Sequence, residues 1–108
     1  MVYIFFYNKL TNLDLINKIN IQHDIYDGII DVKNYDKENY ILEISDKKEE
    51  NNVILFGKIV YFDMNICDII KKINNIEEIH IKNKETYILT LINAFKTNKE
   101  LCPSYIIY

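Results

Sequence analysis

Two stretches of the chain carry side chains that could act on a ligand, and they lie far apart in the sequence. The first is Tyr7-Asn8-Lys9-Leu10, where an apolar, strand-like run ends in polar residues. The second is the pair Glu77-Glu78, which follows an isoleucine-rich helical pattern. A glutamate at the end of such a helix could be drawn into a pocket, where desolvation raises the pKa of a carboxyl toward neutrality and suits it to proton transfer. The alternative is a solvated acidic pair on an exposed helix end.

The elements that must position these residues are mostly strands. Continuous apolar or alternating runs predict strands over 2–7, around Gly28, and over 40–44, 53–62 and 86–92, with a short extended segment over 103–108. Within the second of these, Asp27-Gly28 predicts either a turn or a bulge. Gly57 interrupts the longest strand and predicts a bulge or a close approach by another backbone.

Two helices are expected among these strands. A stripe of apolar residues with helical spacing predicts a helix over 65–78; its members are Ile66, Ile69, Ile70, Ile73 and Ile76. Asp63 is expected to cap its start. Apolar spacings in 11–19 predict a second, shorter helix. Because strands predominate and the helices are too few for regular βαβ alternation, the sequence predicts an α+β fold around a small curved mixed β-sheet or barrel.

Size and charge narrow the function classes. A chain of 108 residues has room for one core, so residues 1–108 form a single domain. The formal net charge is −3 and all thirteen basic residues are lysines. Without arginine the chain lacks the usual bidentate reader of phosphates and base edges, and nucleic acid is not an expected partner.

The cysteines and the apolar start bear on the compartment. Cys67 and Cys102 have neither metal-site nor redox-motif spacing and fit a reducing compartment, although one disulfide remains possible. The apolar start is too short for a signal peptide or a membrane span. We therefore expect a cytoplasmic protein with no membrane partner and no metal. The nine tyrosines fit a core or an interface equally well, so the oligomeric state stays open.

Several segments, taken in order, resemble the γ-glutamylcyclotransferase-like family. "FFYNKL" resembles the family's first strand and its Tyr-Gly-x-Leu turn, and "VILFGKIVYF" resembles a later strand of the type V-x-G-x-V/L-Y. The stretch 73–77, "INNIE", lies over the family's Leu-Asp-x-x-Glu pattern, and Tyr87 falls near an expected downstream tyrosine. The final "CPSYIIY" is similar to a Pro-Ser-x-Tyr tail found in part of the family.

The resemblance implies an enzyme that cyclises a γ-glutamyl group to 5-oxoproline and releases an amino acid or amine, without a cofactor. Glu77 would be the general acid/base, and a one-residue shift of the alignment would exchange it with Glu78. The turn formed by Tyr7, Asn8, Lys9 and Leu10 would bind the substrate, since backbone N–H groups of a tight turn can hold carboxylate or oxyanion oxygens. Which γ-glutamyl compound is the substrate stays open.

Two departures from the family pattern raise an alternative. Asn8 stands where the family has Gly, and asparagine tolerates the left-handed backbone but adds bulk. Asn74 stands where the family has Asp. Asparagine keeps the shape of the aspartate side chain but lacks its negative charge. The chain would then be a catalytically silent module that binds a small carboxylate, or an interaction domain in which Glu77 is exposed and far from the turn.

Tyr105 and Lys9 could each contact the substrate or could have a purely structural role. Tyr105 could line the pocket through the Pro-Ser-x-Tyr resemblance, although it follows Ser104 directly; the alternative is a core tyrosine in a terminal strand. Lys9 could offset a substrate carboxylate or could simply be exposed.

Overall fold

The structure is a computed structural model that describes residues 2–7, 11–20, 22–36, 38, 41–44, 52–75 and 89–107. Within these residues the chain forms seven strands and two helices. In chain order they are β1 (Val2–Phe6), α1 (Leu13–Ile19), β2 (His23–Val32), β3 (Asn34–Asp36), β4 (Ile41–Glu43), β5 (Val53–Phe62), α2 (Ile66–Asn74), β6 (Leu89–Lys96) and β7 (Leu101–Ile107).

Five strands close into a mixed barrel in the order β1-β5-β2-β6-β7. Every neighbouring pair is antiparallel except β1 and β7, which run parallel and close the barrel at the register Ile4–Tyr105. The strands β3 and β4 form a separate two-stranded sheet. The predicted α+β fold with a small mixed barrel, one longer and one shorter helix is thus confirmed.

The first strand is buried on both faces. Phe5 points into an apolar cluster inside the barrel, here called the interior cluster, whose buried members are Phe5, Ile30, Val32, Leu55, Ile59, Ala94, Cys102 and Ile106 together with Leu42. Ile4 and Phe6 face the other way and join the helix-side cluster, which comprises Ile4, Phe6, Leu15, Ile16, Ile19, Val60, Phe62, Ile69 and Ile73. Alternate side chains of a strand point to opposite faces, so an uninterrupted apolar run fits a barrel wall covered by helices.

The close approach predicted at Gly57 is present. A Cβ atom added at Gly57 would clash with the carbonyl oxygen of Phe6 and would lie 2.6 Å from Cζ of the Phe5 ring. Backbone and ring of β1 therefore occupy the volume that any side chain at position 57 would need. Glycine is required here for space rather than for a positive φ, since the described glycines have none.

The helices begin and end differently from the prediction. Asn65, and not Asp63, caps α2: its side chain accepts a hydrogen bond from the backbone N–H of Cys67 at 2.8 Å. Asn12 caps α1 in the same way through the N–H of Asp14. Asparagine is as good an N-cap as aspartate, and the residue adjacent to the helix is the one within reach. The second helix ends at Asn74, before the predicted end at residue 78, with Asn75 as its C-cap.

Three strand predictions also need correction. Asp27-Gly28 makes neither a turn nor a bulge, because β2 continues through it in unbroken register with β5, with Gly28 opposite Gly57. The strand predicted over 86–92 extends to Lys96, while 86–88 lie outside the described residues. The short strand β3 was not predicted; it pairs with β4 at the register Tyr35–Leu42.

We predict that Gly57→Ala lowers the free energy of unfolding by about 2–3 kcal/mol, since the added methyl group meets backbone that cannot move without breaking the β1–β5 ladder. Gly28→Ala is the matched control: its nearest obstacles are Cδ1 and Cγ1 of Ile59, at 2.5 and 2.6 Å, which belong to a side chain and not to the backbone. Urea denaturation of both variants measures the difference. Equal losses at the two glycines would contradict a special role for the β1 contact.

Candidate functional site

Tyr7 directly follows β1 and is half-buried at one end of the barrel. Its ring packs against the interior cluster and meets the Tyr35 ring edge-on, with 5.4 Å between the ring centroids. Edge-to-face packing of this kind holds an aromatic ring in a defined orientation. The proposed turn therefore begins at the end of the barrel where β3 and β4 pack on the interior cluster, with the Tyr7–Tyr35 pair beside it.

Tyr105 lies in a different environment. It is half-buried on β7, beside Ile4 of β1, and packs against the helix-side cluster. Tyr7 and Tyr105 thus contact the two opposite faces of the barrel wall, and the structure does not bring them together. The surroundings of Tyr105 are those of a core tyrosine.

The other members of the predicted site lie outside the described residues. These are Asn8, Lys9, Leu10 and Glu77, together with Glu78 and Tyr87. The separation between the carboxylate and the turn therefore stays a prediction. What the structure does give is the helix that leads toward the carboxylate: α2 is anchored in the helix-side cluster through Ile69 and Ile73 and ends three residues before Glu77.

Asn74 is the last residue of α2 and occupies the position where the resemblance expects Asp. Its side-chain oxygen, Oδ1, is buried and accepts no hydrogen bond from the part of the chain that the structure describes. A carboxylate in its place would be buried at the negative end of a helix without a donor, which is electrostatically unfavourable. The neutral amide suits this position better than the family's acid.

A second group of polar residues lies at the opposite end of the barrel, and sequence reasoning missed it. Tyr3, Tyr26, Tyr61 and Lys96 come from four different strands and are here called the tyrosine–lysine cluster. The Lys96 ammonium nitrogen lies 3.9 Å from the centroid of the Tyr26 ring and 5.9 Å from that of Tyr3. The rings of Tyr3 and Tyr61 are 4.9 Å apart at a tilt of 52°. Only the strand alternation, which puts these residues on interior positions, could have indicated them.

One phenol of this cluster, that of Tyr3, is harder to ionise than an exposed tyrosine. Burial raises the pKa of Tyr3 above its ordinary value, and the neighbouring Cys102 thiol adds to the effect, while Lys96 opposes it. A raised phenol pKa leaves Tyr3 protonated at neutral pH, so its hydroxyl remains a hydrogen-bond donor. The cluster therefore places the Tyr3 hydroxyl, as a hydrogen-bond donor, near the Lys96 ammonium group.

The remaining side chains that could take part in chemistry are one histidine and two cysteines of the described residues. Nε2 of His23 lies 2.6 Å from Oδ1 of Asn17, and its ring packs edge-on against Phe62. Both cysteines are free thiols, Cys67 exposed and Cys102 buried. In the described ranges no group of three His, Cys, Asp or Glu residues could hold a metal ion, and no helix there is long and apolar enough to cross a membrane.

No protein-family model, curated protein or solved structure matches the chain. The case for a function therefore depends on the chain's own residues. These supply two candidate regions at opposite ends of one barrel: the turn that begins at Tyr7, and the tyrosine–lysine cluster.

We predict that Asn74→Asp lowers the free energy of unfolding at pH 7 by about 1–3 kcal/mol more than Asn75→Asp does. Both substitutions add a negative charge at the end of α2, but position 75 is exposed and Oδ1 of Asn74 is buried. Burial would raise the folded-state pKa of the new carboxyl above its unfolded value. The charge penalty is therefore complete above the raised folded-state pKa, shrinks as the pH falls through that pKa, and is absent below the unfolded pKa of about 3.9.

Chemical denaturation of the two variants at pH 7 and pH 3.5 provides the measurement. Equal destabilisation at both positions and both pH values would mean that the buried oxygen of Asn74 has no special environment.

Proposed function

We propose that the protein is a γ-glutamylcyclotransferase-type enzyme, which converts a γ-glutamyl compound to 5-oxoproline and a free amino acid or amine. The observation that best supports the proposal is the placement of β1. This strand lies in the wall of a closed mixed barrel, with side chains of its two faces in the two apolar clusters, and it packs against Gly57. The proposed turn begins at Tyr7, directly after the strand. These are the segments that carry the sequence resemblance, "FFYNKL" and "VILFGKIVYF".

In the proposed reaction the nucleophile belongs to the substrate. The glutamyl α-amine attacks its own γ-carbonyl carbon, a new C–N bond closes the five-membered ring, and the bond to the departing amine breaks. Glu77 takes the proton from the attacking amine and returns it to the leaving nitrogen. Backbone N–H groups of the turn over 8–10 would stabilise the oxyanion of the tetrahedral intermediate.

The protein's main contribution in this mechanism is positioning. An extended γ-glutamyl chain must fold back until amine and carbonyl meet, and a rigid site gains much of its rate from holding that shape. The Tyr7–Tyr35 pair would form a fixed wall beside the turn, since each ring restrains the other. Anchoring of α2 by Ile69 and Ile73 would limit the movement of the segment that carries Glu77.

A catalytically silent module that binds a small carboxylate is the second candidate. It is favoured by Asn8 in place of glycine and by the neutral Asn74, whose environment disfavours the family's aspartate. Such a module would keep the turn as an anion site while lacking proton transfer. The two candidates differ in one measurable quantity, the release of 5-oxoproline.

The test is incubation of the purified protein with a panel of γ-glutamyl amino acids and γ-glutamyl amines, with 5-oxoproline measured by mass spectrometry. We expect turnover of at least one substrate, and a rate at least about 100-fold lower for Glu77→Gln, the range expected for loss of a general acid/base. Glu78→Gln is the matched control and should retain most of the activity.

Two outcomes would redirect the proposal. Full activity in Glu77→Gln with loss in Glu78→Gln would move the role to the neighbouring glutamate. No product from any substrate, together with thermal stabilisation by a γ-glutamyl compound, would establish the silent binding module instead.

A further inference from the structure

The tyrosine–lysine cluster lies at the end of the barrel opposite to the Tyr7 turn. At this end β1, β2 and β7 begin and β5 and β6 finish, as the antiparallel and parallel registers require. Tyr3 and Tyr7 are four residues apart on one extended segment, which corresponds to about 13 Å. The cluster is therefore separate from the site of the proposed function, and the inference below does not depend on that function.

The cluster faces inward, at one end of the barrel interior. Tyr3 packs against the interior cluster, and Lys96 lies two residues after the buried Ala94 and so shares its face of β6. Cys102 is 5% exposed and close enough to Tyr3 to affect its ionisation, so it lies deeper than the cluster. Tyr26 is 37% exposed, which leaves the outer side of the cluster open to solvent.

Lys96 carries a positive charge that no described carboxylate neutralises through an ion pair. The lysine instead lies over phenol faces, an arrangement in which cation and ring attract each other but the charge persists. An ion pair between Lys58 and Asp27 lies at positions of β5 and β2 that alternate with the inward-facing residues, so it does not reach Lys96. Asp24 lies opposite Tyr61 in the register and is exposed, which places a negative charge at the rim beside the cluster.

We propose that the tyrosine–lysine cluster binds a small organic anion with a flat apolar body, of the class of aromatic carboxylates. The anionic group would pair with the Lys96 ammonium and accept hydrogen bonds from phenol hydroxyls. The flat body would stack on the tyrosine rings, which present both apolar faces and polar edges. Ends of small barrels are common sites for such ligands, because the closed sheet holds the side chains of several strands around one opening.

The negative charge of Asp24 at the rim should make the site select between ligands of different charge. A second negative group on the ligand would be repelled by this carboxylate, so a monoanion binds better than a dianion of similar size. Benzoate and phthalate form the matching pair of probes, and benzamide is the neutral analogue of benzoate.

The experiment is a titration of the ¹⁵N-labelled full chain with benzoate, benzamide and phthalate, followed by backbone amide chemical shifts. We expect saturable shifts with benzoate that are confined to the residues around Tyr3, Tyr26, Tyr61 and Lys96. Benzamide and phthalate should bind at least tenfold more weakly. Lys96→Met should weaken benzoate binding at least tenfold, and Lys96→Arg, which keeps a cation able to stack on aromatic rings, should restore most of it.

Lys99→Met is the matched control, since Lys99 is exposed in the turn between β6 and β7 and its loss changes the net charge equally. Its benzoate affinity should stay within twofold of the unmodified chain. Equal affinities for benzoate and benzamide, shifts spread over the lysines of the surface, or unchanged binding in Lys96→Met would each overturn the proposal and leave Lys96 as a packing partner of Tyr26. The amide spectrum of each variant reports whether it folds, and Lys96→Arg tests the cation if Lys96→Met does not fold.

Discussion

The structure depends on the burial of β1 and of the second half of β5, residues 59–62, between two apolar clusters. Side chains at alternate positions of β1 fill the barrel interior and the space beneath the helices, so Ile4, Phe5 and Phe6 are buried, while Val2 and Tyr3 at the start of the strand are half-buried. The distance between β1 and β5 is short at Gly57. There the carbonyl of Phe6 and the ring of Phe5 occupy the volume that a side chain at position 57 would need. On its other edge β1 pairs with β7. Because β1 thus joins β5 to β7, it closes the barrel.

The two helices cover the outward-facing side of β1 and β5. Both are short, and a short helix has little stability of its own in water. Their stability comes from the residues they bury against β1 and β5: Ile16 and Ile19 of α1, and Ile69 and Ile73 of α2. Asparagine caps at Asn12 and Asn65 fix where each helix begins. The segments that follow β1 and α2, which carry the proposed turn and Glu77, are therefore attached to elements that are anchored in the helix-side cluster.

The barrel presents different chemistry at its two ends. One end has the Tyr7–Tyr35 pair and the proposed turn; the other has three tyrosines around a single lysine. Both use aromatic rings that are fixed by packing on the same interior cluster. A closed barrel allows this division, since its filled interior separates the two ends.

The sequence by itself predicted the strands over 2–7 and 53–62, a close backbone approach at Gly57 as one of two alternatives, the existence of both helices and the α+β class. These follow from local patterns: uninterrupted apolar runs, helical spacing of isoleucines, and a glycine inside a strand. The same patterns misplaced the cap of α2, the end of that helix and the role of Gly28, because boundaries depend on which neighbour is within hydrogen-bonding reach. Only the tertiary structure decided the strand order, the separation of Tyr7 from Tyr105, and the assembly of Tyr3, Tyr26, Tyr61 and Lys96. Those contacts join residues from distant parts of the chain across a closed sheet, and no periodicity in a single sequence records which strands become neighbours.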